Sequence, residues 1–158
     1  MYHAIGVIEL KSIAKGIEAE TLFTMTQVIS DEIENPRVPV VAFSGPTHAE
    51  EVIKDLPTAI TSASNDAEAA ATVQKVFTVG CMRVYTNDDI RGVELCGALK
   101  NVIALASGIA TGLGCGDNAK AALITRGIAE ISRLGTAMGC KEQTFGGLSG
   151  IGDLIVTA

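Results

Sequence analysis

The 158-residue sequence contains no tryptophan and few other aromatic residues. Aromatics make up 4% of the chain against a hydrophobic fraction of 47%. A core must therefore be built from Ala, Val, Leu and Ile side chains packed through close backbone contacts, and the 17 glycines fit that picture. The length suffices for one domain or two small subdomains with a buried core.

Metal-binding and disulfide patterns are also missing. The four cysteines are widely spaced without a C-x-x-C pair, and His3 and His48 are the only histidines. The sequence therefore predicts no metal site and no disulfide framework. Twelve basic residues against 18 acidic ones give a net charge of −6 and form no basic stripe, so nucleic acid is not an expected partner. A phosphorylated ligand would need local cations such as Lys15 and Lys100.

No apolar run is long enough and free enough of charge to predict membrane insertion. The longest, VELCGALKNVIALASGIA over 93–110, is interrupted by Glu94, Lys100 and Asn101. Without a signal-peptide pattern, the cytoplasm is the expected location. Because the 93–110 run has so few charges, it is predicted to form a helix that is buried on nearly every side.

One face of this predicted helix consists of small or apolar residues around a single ammonium group. At 100° per residue it contains Val93, Cys96, Gly97, Lys100, Ala104, Ser107 and Thr111. A buried lysine needs an anion, a polar partner or a chemical task. Pattern alone leaves three possibilities open: a catalytic lysine, a structural ion pair, or a side chain that reaches solvent along its aliphatic stem.

The first half of the chain has the pattern of an α/β layer. Strands are predicted over 7–14, 38–43, 56–64 and 81–86, and helices over 18–32 and 65–77. Lys15 follows the first strand, where open α/β sheets place ligand groups. The Ser-Gly-Pro-Thr turn over 44–47 follows the second, with Thr47 as a candidate cap for residues 48–51, although from the sequence alone an ordinary strand-to-helix loop is favoured over a ligand-binding turn. Asn65 and Glu68 resemble a capping box.

Strand signals end at the polar hinge over 87–89, which predicts subdomains over 1–87 and 88–158. A second long helix is predicted from a cap at Asp117-Asn118 to just before Gly139, antiparallel to the first. The glycines over 112–116 follow a helix and not a strand, so a tight turn is favoured over a phosphate loop. In the glycine-rich 144–158 segment, Asp153 either caps the final apolar run or faces a basic partner.

Several separated motifs resemble one family. ELCGALKNVIALASGIATGLGCGDNAKAALITRGIAEISRLG, followed by GLSGIGDLIVT and preceded by KGIE and SGPTHAEEV, is similar to NAD(P)-dependent glycerol-3-phosphate dehydrogenases. The resemblance implies an α/β fold followed by an all-α part: the C-terminal half of a Rossmann-type domain joined to the first helices of a helical substrate domain. The family's N-terminal glycine-rich loop and its C-terminal Arg-Asn phosphate clamp are not in this sequence. We therefore expect a central fragment, which could be inactive alone.

The resemblance also implies a function. It predicts an oxidoreductase that interconverts dihydroxyacetone phosphate and sn-glycerol 3-phosphate with NAD or NADP, supplies glycerophospholipid precursors and forms a homodimer. Two alternatives remain open: a truncated, non-catalytic dimerisation or packing module, and a related β-hydroxyacid-type dehydrogenase.

The catalytic residues that the resemblance implies lie in the second half. Lys100 of ALKN corresponds to the family's proton acceptor, a role that a lowered lysine pKa would suit. Asp153 of GIGDL corresponds to the acidic residue near the lysine and the substrate hydroxyl. Asn101 is expected to be a polar neighbour that binds substrate, and Thr157 to line the same site.

Four further positions in the first half are implied to bind ligands. Lys15 of KGIE corresponds to a residue that touches both cofactor and substrate. Gly45 and Thr47 of SGPT match positions that meet glycerol 3-phosphate, and Ala49 matches one beside the cofactor.

Overall fold

A computed structural model describes residues 10–33, 35 and 37–158. Its first half alternates strands and helices, in the order β1 Leu10–Ser12, α1 Met25–Glu32, β2 Val40–Ser44, α2 Ala49–Ile53, β3 Thr58–Ala63, α3 Ala67–Phe77 and β4 Met82–Asn87. Its second half is helical, with α4 Ile90–Gly112, α5 Gly116–Ala137, α6 Glu142–Phe145, a π-helical turn Leu148–Gly152 and α7 Asp153–Thr157. The predicted fold class, α/β followed by helices, is confirmed. The predicted strand over 7–14 lies partly outside the described residues.

The described strands form one mixed sheet in the order β1-β2-β3-β4. β1 pairs with β2 in parallel, and β3 pairs with β4 in parallel, whereas β2 and β3 are antiparallel. The carboxyl ends of β1 and β2 therefore lie at the same edge of the sheet. The loop with Lys15 leaves β1 at this edge, and the turn over 44–47 leaves β2 there.

Two apolar clusters form the core, and Phe43 and Phe145 belong to them beside the aliphatic side chains that the composition predicts. The first lies between the sheet and α3 and contains Val41, Phe43, Ile60, Ala69, Val73 and Val84. The second lies between α4, α5 and α6 and contains Leu95, Cys96, Ile131, Cys140 and Phe145. A smaller cluster of Ala42, Ala63 and Val93 joins the sheet to α4.

Glycine allows the close packing of the helices. A side chain on Gly127 would overlap Ile103, and one on Gly135 would overlap the ring of Phe145. Arg91 at the start of α4 donates to the carbonyl of Met138 beyond the end of α5. Together with the Ile103–Gly127 contact, this bond shows that α4 and α5 run antiparallel, as predicted.

α4 is long and apolar enough to cross a membrane by length and composition alone, with 44% of its most apolar window buried. It packs against α5, α7 and β2, as the core helix of a globular domain does. The prediction that it is buried on nearly every side holds only for its first half. Beyond Lys100, apolar side chains such as Val102, Leu105 and Ile109 are exposed.

The predicted helix over 18–32 begins seven residues late, at Met25. The Glu18 carboxylate accepts bonds from the hydroxyl and backbone N–H of Thr21 and from the N–H of Glu20, which closes a turn and lowers the pKa of Glu18 to about 2. Leu22 then takes a positive φ of 58°. The helix starts where Thr24 and Gln27 form a capping box.

Two predicted caps in the first half are wrong. His48, not Thr47, precedes α2, and the Thr47 hydroxyl donates to the carbonyl of Gly45. Asp66, not Asn65, caps α3, because its carboxylate reaches the N–H groups of Glu68 and Ala69. In each case a neighbouring residue has the required backbone position.

The second half corrects one cap and supports two others. Cys115 precedes α5, so the predicted Asp117-Asn118 cap is wrong. Asp89 of the predicted hinge caps α4 by accepting from the N–H of Gly92. Gly139 follows the C-cap of α5 with a φ of +87°, the left-handed conformation that favours glycine there.

Candidate active site

The candidate site is centred on a buried carboxylate, Asp153, which is 3% exposed. One of its oxygens, Oδ2, lies 2.5 Å from Nζ of Lys15, and the other, Oδ1, forms an ion pair with Nζ of Lys100. The two lysines come from opposite halves of the fold, and Asp153 begins α7 directly after the π-helical turn. Of the two alternatives for Asp153, the structure therefore favours a basic partner over a cap.

Lys100 is 4% exposed and has polar partners for its ammonium group. Besides Asp153 Oδ1, its Nζ donates to Thr157 Oγ1 at 2.7 Å and to the backbone carbonyl of Asp153 at 3.4 Å. Lys100 lies on the small-residue face of α4, and this face points to the interior, as the sequence predicts. Burial lowers the pKa of Lys100, and the charge of Lys15 lowers it further, against the opposing effect of Asp153.

Lys15 lies in the loop after β1, with its side chain 28% exposed. Its aliphatic stem passes over Gly97 of α4 before the ammonium reaches Asp153. The sequence suggested Lys15 as a local cation but gave no indication that it shares a carboxylate with Lys100.

The turn after β2 forms a further wall of the site. Gly45 is buried, and a side chain there would meet the backbone of Ile60 at 3.0 Å, so the turn packs tightly against β3. This packing brings Thr47 and Ala49 beside the two lysines. Ser149 fixes the turn from the helical half, since its hydroxyl donates to the carbonyl of Ser44 at 2.9 Å.

These groups surround an open cavity of about 520 Å³. Its lining residues are Lys15, Thr47, His48, Ala49, Glu50, Lys100, Asp153, Val156 and Thr157. Cavities of about 490, 530 and 700 Å³ lie elsewhere on the fold, but of these four cavities only this one brings together two lysines and a buried carboxylate. Its size is that of a typical small-molecule site.

Six of the eight residues predicted from the sequence line this cavity. The other two do not: Gly45 is buried within the turn and faces β3, and Asn101 is on the exposed side of α4. His48, Glu50 and Val156 line the cavity without having been predicted. Their position beside Thr47, Ala49 and Thr157 in the sequence is the one signal that could have indicated them.

The arrangement suits proton transfer and anion binding. A buried lysine with a lowered pKa can take up and release a proton near neutral pH more readily than an exposed one. A second ammonium, of Lys15, and the Thr47 hydroxyl, whose bond to the Gly45 carbonyl is long at 3.4 Å, are available to a negatively charged ligand that carries oxygen atoms.

Two sequence models of one family match the chain. NAD-dependent glycerol-3-phosphate dehydrogenase N-terminus matches residues 5–70, and NAD-dependent glycerol-3-phosphate dehydrogenase C-terminus matches residues 89–158. Together they account for most of the sequence, on both sides of the predicted hinge.

Curated relatives carry the same description. Glycerol-3-phosphate dehydrogenase (NAD(P)+) 2 of Lactobacillus delbrueckii subsp. bulgaricus is 65% identical over 150 residues, which are 92% of this chain and 44% of the relative. Glycerol-3-phosphate dehydrogenase (NAD(P)+) 1 of Salinibacter ruber is 54% identical over 98% of this chain and 46% of its own length. The chain thus spans less than half the length of these relatives.

Solved structures agree with the fold. Glycerol-3-phosphate dehydrogenase of Coxiella burnetii superposes with a TM-score of 0.88 at 42% identity, over 94% of this chain and 45% of that one. The yeast enzyme from Saccharomyces cerevisiae gives a TM-score of 0.83 at 30% identity, over 95% and 46% of the two chains.

Proposed function

The chain belongs to the NAD-dependent glycerol-3-phosphate dehydrogenase family, and we propose that it carries the catalytic centre of an oxidoreductase that interconverts dihydroxyacetone phosphate and sn-glycerol 3-phosphate. The observation that carries this proposal is the carboxylate of Asp153 held between two lysine ammonium groups at the wall of an open cavity. The product class is the backbone of glycerophospholipids, and we assign the enzyme to their supply.

Lys100 is the proton carrier in this proposal. When glycerol 3-phosphate is oxidised, neutral Lys100 Nζ accepts the proton of the secondary hydroxyl as that carbon becomes a ketone. In the opposite direction the ammonium donates to the carbonyl oxygen of dihydroxyacetone phosphate. Burial supports this role because it lowers the pKa of Lys100 and so makes the neutral form accessible.

Asp153 and Thr157 orient this amine. Asp153 Oδ1 and Thr157 Oγ1 each hold the Nζ, and the Thr157 hydroxyl in turn donates to the Asp153 carbonyl at 2.6 Å. Fixing the donor and acceptor directions in advance reduces the reorganisation needed for proton transfer.

Lys15 and Thr47 bind the anionic substrate in this assignment. With one carboxylate shared between two ammonium groups, the three charged groups carry a net charge of +1 in a chain of net charge −6. That local excess suits a phosphorylated triose or glycerol. Gly45 contributes by keeping the turn close to β3, and Asn101 is proposed to reach substrate from the rim of α4.

A nicotinamide cofactor, NAD or NADP, fits the side of this cavity that Lys15 and Ala49 line. Lys15 and Ala49 would hold it, because the small Ala49 side chain at the start of α2 leaves room for a flat ring next to the lysine. When bound, the nicotinamide exchanges a hydride with the substrate carbon that bears the oxygen.

We also propose that the protein is cytoplasmic and works as a homodimer. Each cysteine in the described residues is a free thiol, as is common in a reducing compartment. Exposed apolar side chains on α4 and directly after it, among them Leu105, Ile109 and Leu113, provide a surface that a second copy can cover. If the purified protein sedimented as a monomer at micromolar concentration, the proposed dimer would be contradicted.

A chimaeric enzyme tests the proposed reaction. This chain replaces the matching 150 residues of the Lactobacillus delbrueckii relative, and NAD(P)H oxidation is followed with dihydroxyacetone phosphate. We expect activity, and Lys100→Ala should reduce kcat by about 10²–10⁴, the usual contribution of a general acid or base. Lys75→Ala, an exposed lysine on α3, serves as the control and should be neutral.

Two outcomes would contradict the assignment. Near-normal turnover by Lys100→Ala would remove the lysine from the chemistry. Preference of the chimaera for 6-phosphogluconate or 3-hydroxy acids would move the reaction to the β-hydroxyacid type.

A further inference from the structure

Gly97 lies between the two lysines of the site in an unusual position. It is buried on α4, one turn before Lys100. A Cβ atom built on Gly97 would lie 3.3 Å from Lys15 Cγ, 3.5 Å from Lys15 Cδ and 3.3 Å from Ser44 Oγ. The stem of Lys15 therefore passes directly over the bare backbone of α4 on its way to Asp153.

Little else in the loop fixes this stem. Lys15 lies between β1 and the isolated bridge of Ile17 with Thr24, outside any helix or strand. Its ammonium donates one hydrogen bond to the protein in the described residues, the bond to Asp153 Oδ2. The direction in which the chain leaves β1 and the surface of α4 beneath the stem must then determine where the Nζ lies.

Ser44 adds a second, independent observation at this point. Its hydroxyl is buried and has no hydrogen-bond partner among the described residues. It lies beside the same bare surface of Gly97. An added methyl group at position 97 would thus meet a buried hydroxyl on one side and the lysine stem on the other. Of the two, the stem ends in a flexible, partly exposed group that can move aside.

We propose that Gly97 is a positioning residue: the missing side chain at this position lets Lys15 cross α4 and pair with Asp153. The importance of this position for catalysis rests on the function proposed above. The contact between position 97 and the Lys15 stem is independent of that function. A methyl group at 97 would press on the Lys15 stem at 3.3 Å, so the stem would have to shift by a few tenths of an ångström, which would weaken the bond between its ammonium and Asp153. Asp153 would then pair mainly with Lys100.

The α4 helix offers a matched control. Gly108 is also an interior glycine of α4, and a Cβ atom there would have no neighbour within 4 Å. Alanine at either position gains the same helix propensity, since glycine is the poorer helix former. Gly97→Ala and Gly108→Ala therefore differ in what the added methyl group contacts, and not in their effect on the α4 backbone.

The test measures the reactivity of Lys15 itself, on the purified 158-residue chain. An amine-acylating reagent labels the protein, and mass spectrometry follows the labelling rate of each lysine. We expect Gly97→Ala to raise the rate at Lys15 about twofold through weakening of the ion pair, while Gly108→Ala leaves it as in the parent. Both variants should keep the parent Tm or exceed it. Equal Lys15 rates in parent and Gly97→Ala would overturn the proposal.

A pair of double variants locates the contact. In the parent background, Gly97→Ala should lower the labelling rate of Lys100, because Asp153 then pairs mainly with that lysine. In a Lys15→Ala background this change should be absent, because no stem remains to be displaced. A change of the same size there would mean that the methyl group acts through Ser44, and the proposal would fail. If Gly97→Ala does not fold, Gly97→Ala with Ser44→Ala provides space for the methyl group and should still expose Lys15.

Activity is measured separately in the chimaera. Gly97→Ala should raise KM for dihydroxyacetone phosphate more than it lowers kcat, because Lys15 is assigned to binding. An inactive parent chimaera with Lys15 labelling as expected would reject the proposed reaction and leave the role of Gly97 intact.

Discussion

One carboxylate serving two amines determines the chemistry of the site. Asp153 is nearly sealed from solvent, and so is Lys100, so an unpaired charge on either would be expensive. Pairing removes most of that cost without neutralising the cluster, because Lys15 adds a second positive charge. Lys100 loses its proton more easily than an exposed lysine does, because burial lowers its pKa.

The lowered pKa of Lys100 has a consequence for stability. Between the folded pKa and the ordinary value of 10.5, the unfolded chain binds more protons at this group than the folded chain does, so the contribution of Lys100 to stability rises with pH. The cost of burying the charged amine is fully present below the folded pKa. Lys100→Met should abolish this rise. Urea unfolding from pH 7 to pH 10 measures it as the difference between parent and variant.

The comparison of parent with Lys100→Met is needed because other groups also titrate between pH 7 and pH 10. Burial raises the pKa of the Cys96 thiol to about 12, which contributes stability below its ordinary value of 9 that is lost at higher pH. That contribution is common to parent and variant and cancels. Lys75→Met, at an exposed position, is the control. Parallel pH profiles for parent and Lys100→Met would contradict the account.

α4 connects the two halves of the site through successive turns of its first half. Glu94 reaches α1, Gly97 supports Lys15, and Lys100 meets Asp153. Glu94 is 7% exposed, and its carboxylate accepts from the backbone N–H of Thr26 at 2.8 Å and from the Thr26 hydroxyl at 2.5 Å. It thus satisfies a free donor in the first turn of α1 from outside that helix.

Removing this contact should loosen α1. Glu94→Leu leaves the buried N–H of Thr26 without an acceptor, which costs about 1–3 kcal/mol of unfolding free energy. Glu94→Gln retains one acceptor oxygen and should lose less. Urea unfolding gives the two costs, and amide exchange should speed up in α1 before α5. Equal costs for the two variants would show that the carboxylate contact is not what holds α1.

Patterns that depend on one helix or strand were predictable from the sequence. The small-residue face of α4 indicated that Lys100 would face the interior, and it does. The loss of strand signals after residue 87 indicated the change from strands to helices, and β4 ends at Asn87. The start of α1 was not predictable from periodicity, because the Glu18 side chain closes a turn over residues that also fit a helix. The exposure of Val102 and Leu105 depends on what packs against α4, and apolar composition does not contain that information.

Contacts between distant parts of the chain were the hardest to predict. The sequence left Asp153 with two possible roles and left Lys15 without a partner, although 138 positions separate these two residues in one ion pair. Such a pairing follows from the topology of the sheet edge and α7 together. The family resemblance brought Asp153 near Lys100, but it did not indicate that Lys15 shares the carboxylate.

The two halves of the fold are joined across the candidate site. Lys15 pairs with Asp153, Glu94 holds Thr26, and Ser149 donates to the Ser44 carbonyl, each linking the α/β half to the helical half. Ala42, Ala63 and Val93 form a shared apolar cluster between the sheet and α4. With this much of the interface buried, neither half is expected to unfold without the other.

Cooperative unfolding is therefore the expected behaviour of this chain. In native-state amide exchange with rising urea, the slowest amides of β3 and of α5 should converge on one opening free energy. Ser149→Ala removes a buried bond between the halves and should lower both values together by about 1–2 kcal/mol. Ser30→Ala, an exposed serine on α1, should change neither value. If α5 kept its protection while β3 lost it, the halves would be independent, and the cavity between Lys15 and Lys100 would then open without global unfolding.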